Sequence, residues 1–82
     1  MPTLTLYHFN GCPYCAKVRN YMAAKGITVP LKDIHENPKF KEELMSIGGM
    51  AQVPCLVIDG EALYESDDII EWMKGNLIKS KK

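Results

Sequence analysis

Two cysteines separated by two residues, Cys12-Pro13-Tyr14-Cys15, are the part of this chain best suited to chemistry. A thiol is a poor nucleophile until it ionises. A helix N-terminus, with unpaired N–H groups and aligned peptide dipoles, supplies the positive potential that stabilises the thiolate; in such C-x-x-C settings the pKa falls from about 8.5 to between ~3.5 and 7.5. Cys12 stands where an apolar strand pattern gives way to a helical one, so it is the expected thiolate. Cys15, about one turn further on and less exposed, is placed to attack a mixed disulfide formed on Cys12 and is the expected resolving thiol. Lys17 either adds positive potential or is an ordinary solvated helix lysine. The competing use of such a pair is structural zinc, which needs four ligands. Beyond the pair the chain offers Cys55, His8 and His35 with no second C-x-x-C or H-x-x-x-H spacing, so no metal is expected.

The elements that must position this pair are legible on either side of it. Thr3 to Phe9 alternates, with Leu4, Leu6 and His8 on one side and Thr5, Tyr7 and Phe9 on the other, and its β-branched and aromatic content predicts a strand ended by Asn10-Gly11. From Pro13 the apolar positions Cys15, Val18 and Met22 follow helical spacing; Pro13 suits a first turn and Gly26 a stop. Ile27 to Ile34 is a second strand, weakened by Pro30. Asn37 caps a helix with Pro38 just inside, and Phe40, Leu44 and Ile47 form its buried stripe before Gly48-Gly49. Val53 to Ile58 is an apolar strand joined by the hairpin dipeptide Asp59-Gly60 to Glu61 through Tyr64. Ser66 reads as the N-cap of a last helix, Asp67 and Asp68 place negative charge in its first turn, and Ile69, Ile70, Met73 and Leu77 give its apolar face. The tail Lys79-Ser80-Lys81-Lys82 reads as a frayed, solvated end.

The βαβ half requires a crossover with parallel strands and the hairpin adds an antiparallel pair. The expected fold is therefore α/β, one domain over residues 1–82, with a four-stranded mixed sheet covered by three helices in the order β-α-β-α-β-β-α. Phe40, Leu44, Trp72 and Met73 are expected in the core, as is Cys55, while His8 and His35 read as packing and surface residues. Ten basic residues balance ten acidic ones among 82, so nothing in the charge favours nucleic acid or an anionic membrane as partner. No apolar run approaches the ~18 residues of a membrane span, and the N-terminus lacks the pattern of a signal peptide. A cytoplasmic protein is expected, where thiols are kept reduced and cysteines serve chemistry or core packing.

Cys12-Pro13-Tyr14-Cys15 after the first strand, Val53-Pro54 before the hairpin and Ser66-Asp67-Asp68 opening the last helix together resemble a dithiol glutaredoxin over essentially the whole chain. The resemblance implies a thioredoxin-like fold and glutathione-dependent reduction of protein disulfides and glutathione mixed disulfides, with Cys12 and Cys15 catalytic and forming a redox-active disulfide. It implies that Pro54 is cis, that the backbone of Val53 pairs with glutathione like an added strand, and that Ser66 and Asp67 take the carboxylate and ammonium of its γ-glutamyl end. Tyr14 and Gln52 complete the implied glutathione site. Glutathione is the expected co-substrate, glutathionylated or disulfide-containing proteins are the expected partners, and the protein is expected to be a monomer.

Two positions depart from the family pattern. Phe9 replaces a lysine that meets the glycyl carboxylate, and Gln52 stands where threonine is common; Gln52, Lys17 and Lys39 are the available substitutes. Glu65-Ser66 also resembles the N-terminal domain of glutathione transferases. Two alternatives remain: a module holding an iron–sulfur cluster through Cys12 and glutathione thiols, and a dedicated electron donor to one reductase.

Overall fold

In the computed structural model, which describes residues 3–76, the elements follow the expected order β-α-β-α-β-β-α. Leu77 and the lysine-rich tail lie outside the described residues. Strand β1 (Leu4–His8) runs beside β2 (Leu31–Asp33) in parallel and beside β3 (Cys55–Ile58) antiparallel, and β4 (Glu61–Tyr64) pairs back on β3, giving the sheet order β2-β1-β3-β4. This is a thioredoxin-like fold, with helices α1 (Pro13–Lys25), α2 (Pro38–Gly48) and α3 (Ser66–Asn76) on the sheet.

Period-two alternation sorts the strand side chains to two faces. Leu6 and Leu56 meet Val18 and Met22 of α1 and Ile69 and Met73 of α3 on one face, while Tyr7, Cys55 and Val57 meet Leu44 of α2 on the other. Leu6, Val18, Leu56, Ile69 and Met73 are fully buried, and each such side chain contributes roughly 1.5–3 kcal/mol by leaving water. Trp72 and Phe40 pack at the margins of these clusters as half-buried residues. On the α2 face, the Tyr7 hydroxyl donates to Glu43 Oε1 at 2.9 Å and Lys32 Nζ donates to the same oxygen at 2.8 Å, tying β1, β2 and α2 together.

The structure corrects three expectations. Strand β2 covers Leu31–Asp33 only. Its predicted N-terminal half is diverted, since the Ile27 amide donates to Met22 O in the C-cap of α1, and Pro30, which has no N–H, contributes only its carbonyl, to Leu6 N. Ile47, predicted in the buried stripe of α2, is 36% exposed, leaving Leu44 as the buried anchor of that helix. Ser66 is the first residue of α3 rather than its cap; the preceding Glu65 holds φ +76° and its carbonyl accepts from Ile69 N.

The turns follow backbone need. Asp59 and Gly60, at φ +50° and +86°, make the two-residue hairpin loop, which requires positive φ at both positions. Gly48 answers to space instead: a Cβ there would overlap the Tyr64 hydroxyl and stand 2.9 Å from Ala62 Cβ, so α2 approaches β4 only where a side chain is missing.

Candidate active site

Helix α1 begins at Pro13, with Cys12 as its N-cap in an extended conformation (φ −89°, ψ 118°). In that position a side-chain acceptor normally satisfies one of the orphan amides of the first turn, and here the acceptor is sulfur: Cys15 N donates to Cys12 Sγ at 3.4 Å. Ala16 N closes the first helical turn on Cys12 O at 3.0 Å. A thiolate at this point faces an amide donor and the positive end of α1, whose first turn holds no acidic side chain.

The two thiols differ in environment. Cys12 is 7% exposed and Cys15 is fully covered. Desolvation pushes the Cys15 thiol up to about 12, and the neighbouring Cys12 adds to the rise, while a backbone hydrogen bond with Phe9 and the Arg19 charge oppose it. Cys15 is thus held as a neutral thiol at neutral pH. Cys55 is also fully buried, and burial lifts it to about 11, but it belongs to the α2 face of the sheet and stands apart from the pair on α1, as a core residue.

Beside Cys12 lies a cleft of about 320 Å³. It is lined by Tyr14 and Lys17 of α1, by Gln52, Val53 and Pro54 before β3, and by Glu65, Ser66 and Asp67 at the start of α3. All six residues expected around glutathione therefore line one cavity. Cys12 is not among the lining residues; Tyr14, two positions further along the chain, is. The Val53–Pro54 peptide is cis. Tyr14 is 65% exposed, so its ring is available to a ligand rather than committed to packing.

Polar contacts already cross the cleft. Lys17 forms an ion pair with Asp67, linking α1 to α3, and Gln52 Nε2 donates to Glu65 Oε2 at 3.3 Å. Both side chains of the ion pair are largely exposed, so a competing ligand charge can displace either at small cost. The positive φ of Glu65, unusual for a residue with a Cβ, lies at the junction between β4 and α3 and forms part of the cleft wall. A larger hollow of about 510 Å³, lined by Lys39, Glu42, Glu43, Ser46 and Ile47, lies along α2 alone and is lined by no cysteine. Lys39, one of the substitutes considered for the glycyl carboxylate, lines that hollow and not the cleft.

Phe9 stacks on exposed His35, with ring centroids 4.1 Å apart. His8, at the end of β1, is buried and hydrogen bonded with Arg19 at 3.0 Å, an arrangement that sequence reading missed because the two residues belong to different elements. Among the described residues, no helix is long and apolar enough to cross a membrane.

Known proteins resemble this chain in sequence and in fold. Glutaredoxin 3 of Escherichia coli K12 is 28% identical over 69 residues, spanning 84% of this chain and 83% of that protein. An uncharacterised glutaredoxin-like 8.6 kDa protein of the rubredoxin operon of Clostridium pasteurianum is 29% identical over 73 residues, 83% of this chain and 97% of its own length. Among solved structures, glutathione transferase Omega 3C from Trametes versicolor superposes with a TM-score of 0.78 at 28% identity, over 92% of this chain; the chain spans about a third, 34%, of that transferase. The family model for the N-terminal domain of glutathione S-transferase matches residues 6–76, from the middle of β1 to the end of α3. With most of its length inside that match, the chain belongs to the glutathione S-transferase N-terminal domain family.

Proposed function

We propose that the protein is a glutathione-dependent thiol–disulfide oxidoreductase of the dithiol glutaredoxin type. The observation that carries the reading is the cleft in which Tyr14, Gln52, Val53, Pro54, Ser66 and Asp67 meet beside a cysteine that caps a helix. In this reading the Cys12 thiolate attacks the glutathione sulfur of a mixed disulfide. The new bond joins Cys12 and glutathione, and the substrate sulfur leaves as a thiolate and takes up a proton. A second glutathione then attacks and departs as glutathione disulfide, regenerating Cys12. Alternatively Cys15 loses its proton, attacks Cys12 Sγ and releases glutathione, leaving the Cys12–Cys15 disulfide for later reduction. No oxidant beyond the disulfide itself is required.

The cleft offers partners to the γ-glutamyl and cysteinyl parts of glutathione. The amides opening α3 at Ser66 suit the γ-glutamyl carboxylate, and Asp67 suits its ammonium once Lys17 is exchanged away. Backbone groups of Val53 suit the cysteinyl peptide unit, with Tyr14 alongside and Gln52 and Pro54 shaping the wall. In this reading the protein acts as a cytoplasmic monomer on glutathionylated or disulfide-bonded proteins, with no resident metal. The test is glutathione-dependent turnover of a small glutathionylated disulfide by wild type, Cys12→Ser and Cys15→Ser. Loss in the first and substantial retention in the second are expected; an active Cys12→Ser protein refutes the assignment.

A further inference from the structure

His8 is among the buried titratable side chains that the chemistry above leaves unused. His8, the last residue of β1, is 5% exposed, and its Nδ1 lies 3.0 Å from Arg19 Nη1. A guanidinium only donates, so Nδ1 is the acceptor and the ring is neutral in this pairing. Burial and then the Arg19 charge push the His8 pKa below its ordinary value, and the pull of Asp33 and Glu36 in the other direction does not reverse them.

The second contact of Arg19 leads toward the nucleophile. Its Nη1 stands 3.5 Å from Phe9 O, long for a hydrogen bond but made by a full positive charge. The same carbonyl accepts from Cys12 N at 3.2 Å, and Cys12 Sγ in turn accepts from Cys15 N at 3.4 Å. A continuous run of contacts therefore joins His8, Arg19, Phe9 and Cys12. Between Phe9 and Cys12 the chain has only Asn10 and Gly11, both exposed and both tolerant of many turn conformations. Arg19 also lies four residues beyond Cys15 on the same side of α1, so its charge faces the dithiol.

We infer that Arg19, held by His8, is a positioning residue for Cys12: by fixing the Phe9 carbonyl it keeps the Cys12 sulfur seated on the Cys15 amide. The inference rests on the proposed thiolate chemistry, and its test separates the two. Alkylation of Cys12 by iodoacetamide is followed from pH 4 to 9, with the site identified by mass spectrometry, in wild type, Arg19→Met, His8→Phe, the double variant and the conservative Arg19→Lys. Each of the first two single variants shifts the midpoint upward, so that the rate at pH 6.5 falls roughly 2- to 10-fold. The double variant moves no further than the larger single one, since the two side chains act as a unit, and Arg19→Lys, which keeps a charged donor, falls between. Folded variants that titrate with wild type overturn the inference, as do shifts that simply add. Should Arg19→Met fail to fold, an unshifted Arg19→Lys together with an unshifted His8→Phe overturns it. A wild-type midpoint near the ordinary ~8.5 removes the proposed thiolate chemistry itself, and this inference with it.

Discussion

The burial of Cys15 makes a quantitative prediction about which thiol completes the reaction. With its pKa at about 12, roughly one Cys15 in 10⁵ is ionised at pH 7, against about three in a hundred for an ordinary thiol near 8.5. The more basic sulfur is the better nucleophile once ionised, and with a Brønsted slope of about 0.45 the 3.5-unit difference returns roughly 40-fold. The remaining handicap is on the order of 10² per encounter, before any advantage from Cys15 being tethered nearby. When Cys12 carries glutathione its own charge is gone, but the desolvation that dominates the Cys15 shift remains. Closure of the Cys12–Cys15 disulfide should therefore climb about tenfold per pH unit from pH 6 to 9 with no plateau. The assay is single-turnover release of glutathione from protein loaded at Cys12, with Cys15→Ser as the zero. Closure that levels off below pH 8 refutes the argument, because it places the Cys15 pKa in the ordinary thiol range.

Three further outcomes follow from contacts described above. Gly48→Ala should destabilise the protein by about 1–3 kcal/mol through collision with Tyr64, and Tyr64→Phe should relieve part of that loss; a denaturation midpoint unchanged in Gly48→Ala refutes the close approach. Asp67→Asn should raise KM for glutathione roughly 5- to 10-fold with kcat little changed and thermal stability intact, since it removes the proposed ammonium contact and only an exposed ion pair, whereas an unchanged KM assigns the ammonium elsewhere. The folded-state pKa of His8 lies below its ordinary 6.5, so the unfolded chain binds more protons there; the stability His8 contributes is full above pH 6.5 and declines as pH falls through the lowered folded value. Urea midpoints from pH 7.5 to 5 should accordingly fall more steeply in wild type than in His8→Phe, and parallel slopes sink that account.

Local chemistry made most of this fold legible. The dithiol at a strand-to-helix junction, the Asp59-Gly60 hairpin and the glycine stops at Gly26 and Gly49 are each set by a residue whose backbone preference leaves few options, and all three appear in the structure. The cleft residues were legible for a different reason: they come from three separated motifs whose meeting the resemblance implied and the fold now brings together. What sequence obscured depends on neighbours. Ile47 has the right spacing for burial, yet α2 meets β4 near its end through Gly48, which leaves Ile47 facing water. Helical periodicity cannot see where a helix leaves its sheet. Ser66 is a favoured capping type, but Glu65 turns the chain one residue earlier by adopting positive φ. His8 follows the strand alternation of a packing residue, and only the approach of α1 reveals that it accepts from Arg19.

The sheet also divides the thiols of this protein into separate chemical populations. Cys55 is sealed among Tyr7, Leu44 and Val57 on one side, Cys15 is covered on the other, and a few per cent of Cys12 alone meets solvent. A thiol-counting reagent applied to the native protein should therefore register close to one equivalent, and all three sulfurs only after unfolding. Heat or denaturant would then release a third partner capable of scrambling the dithiol, so oxidative damage to this protein should be governed by how often its sheet opens.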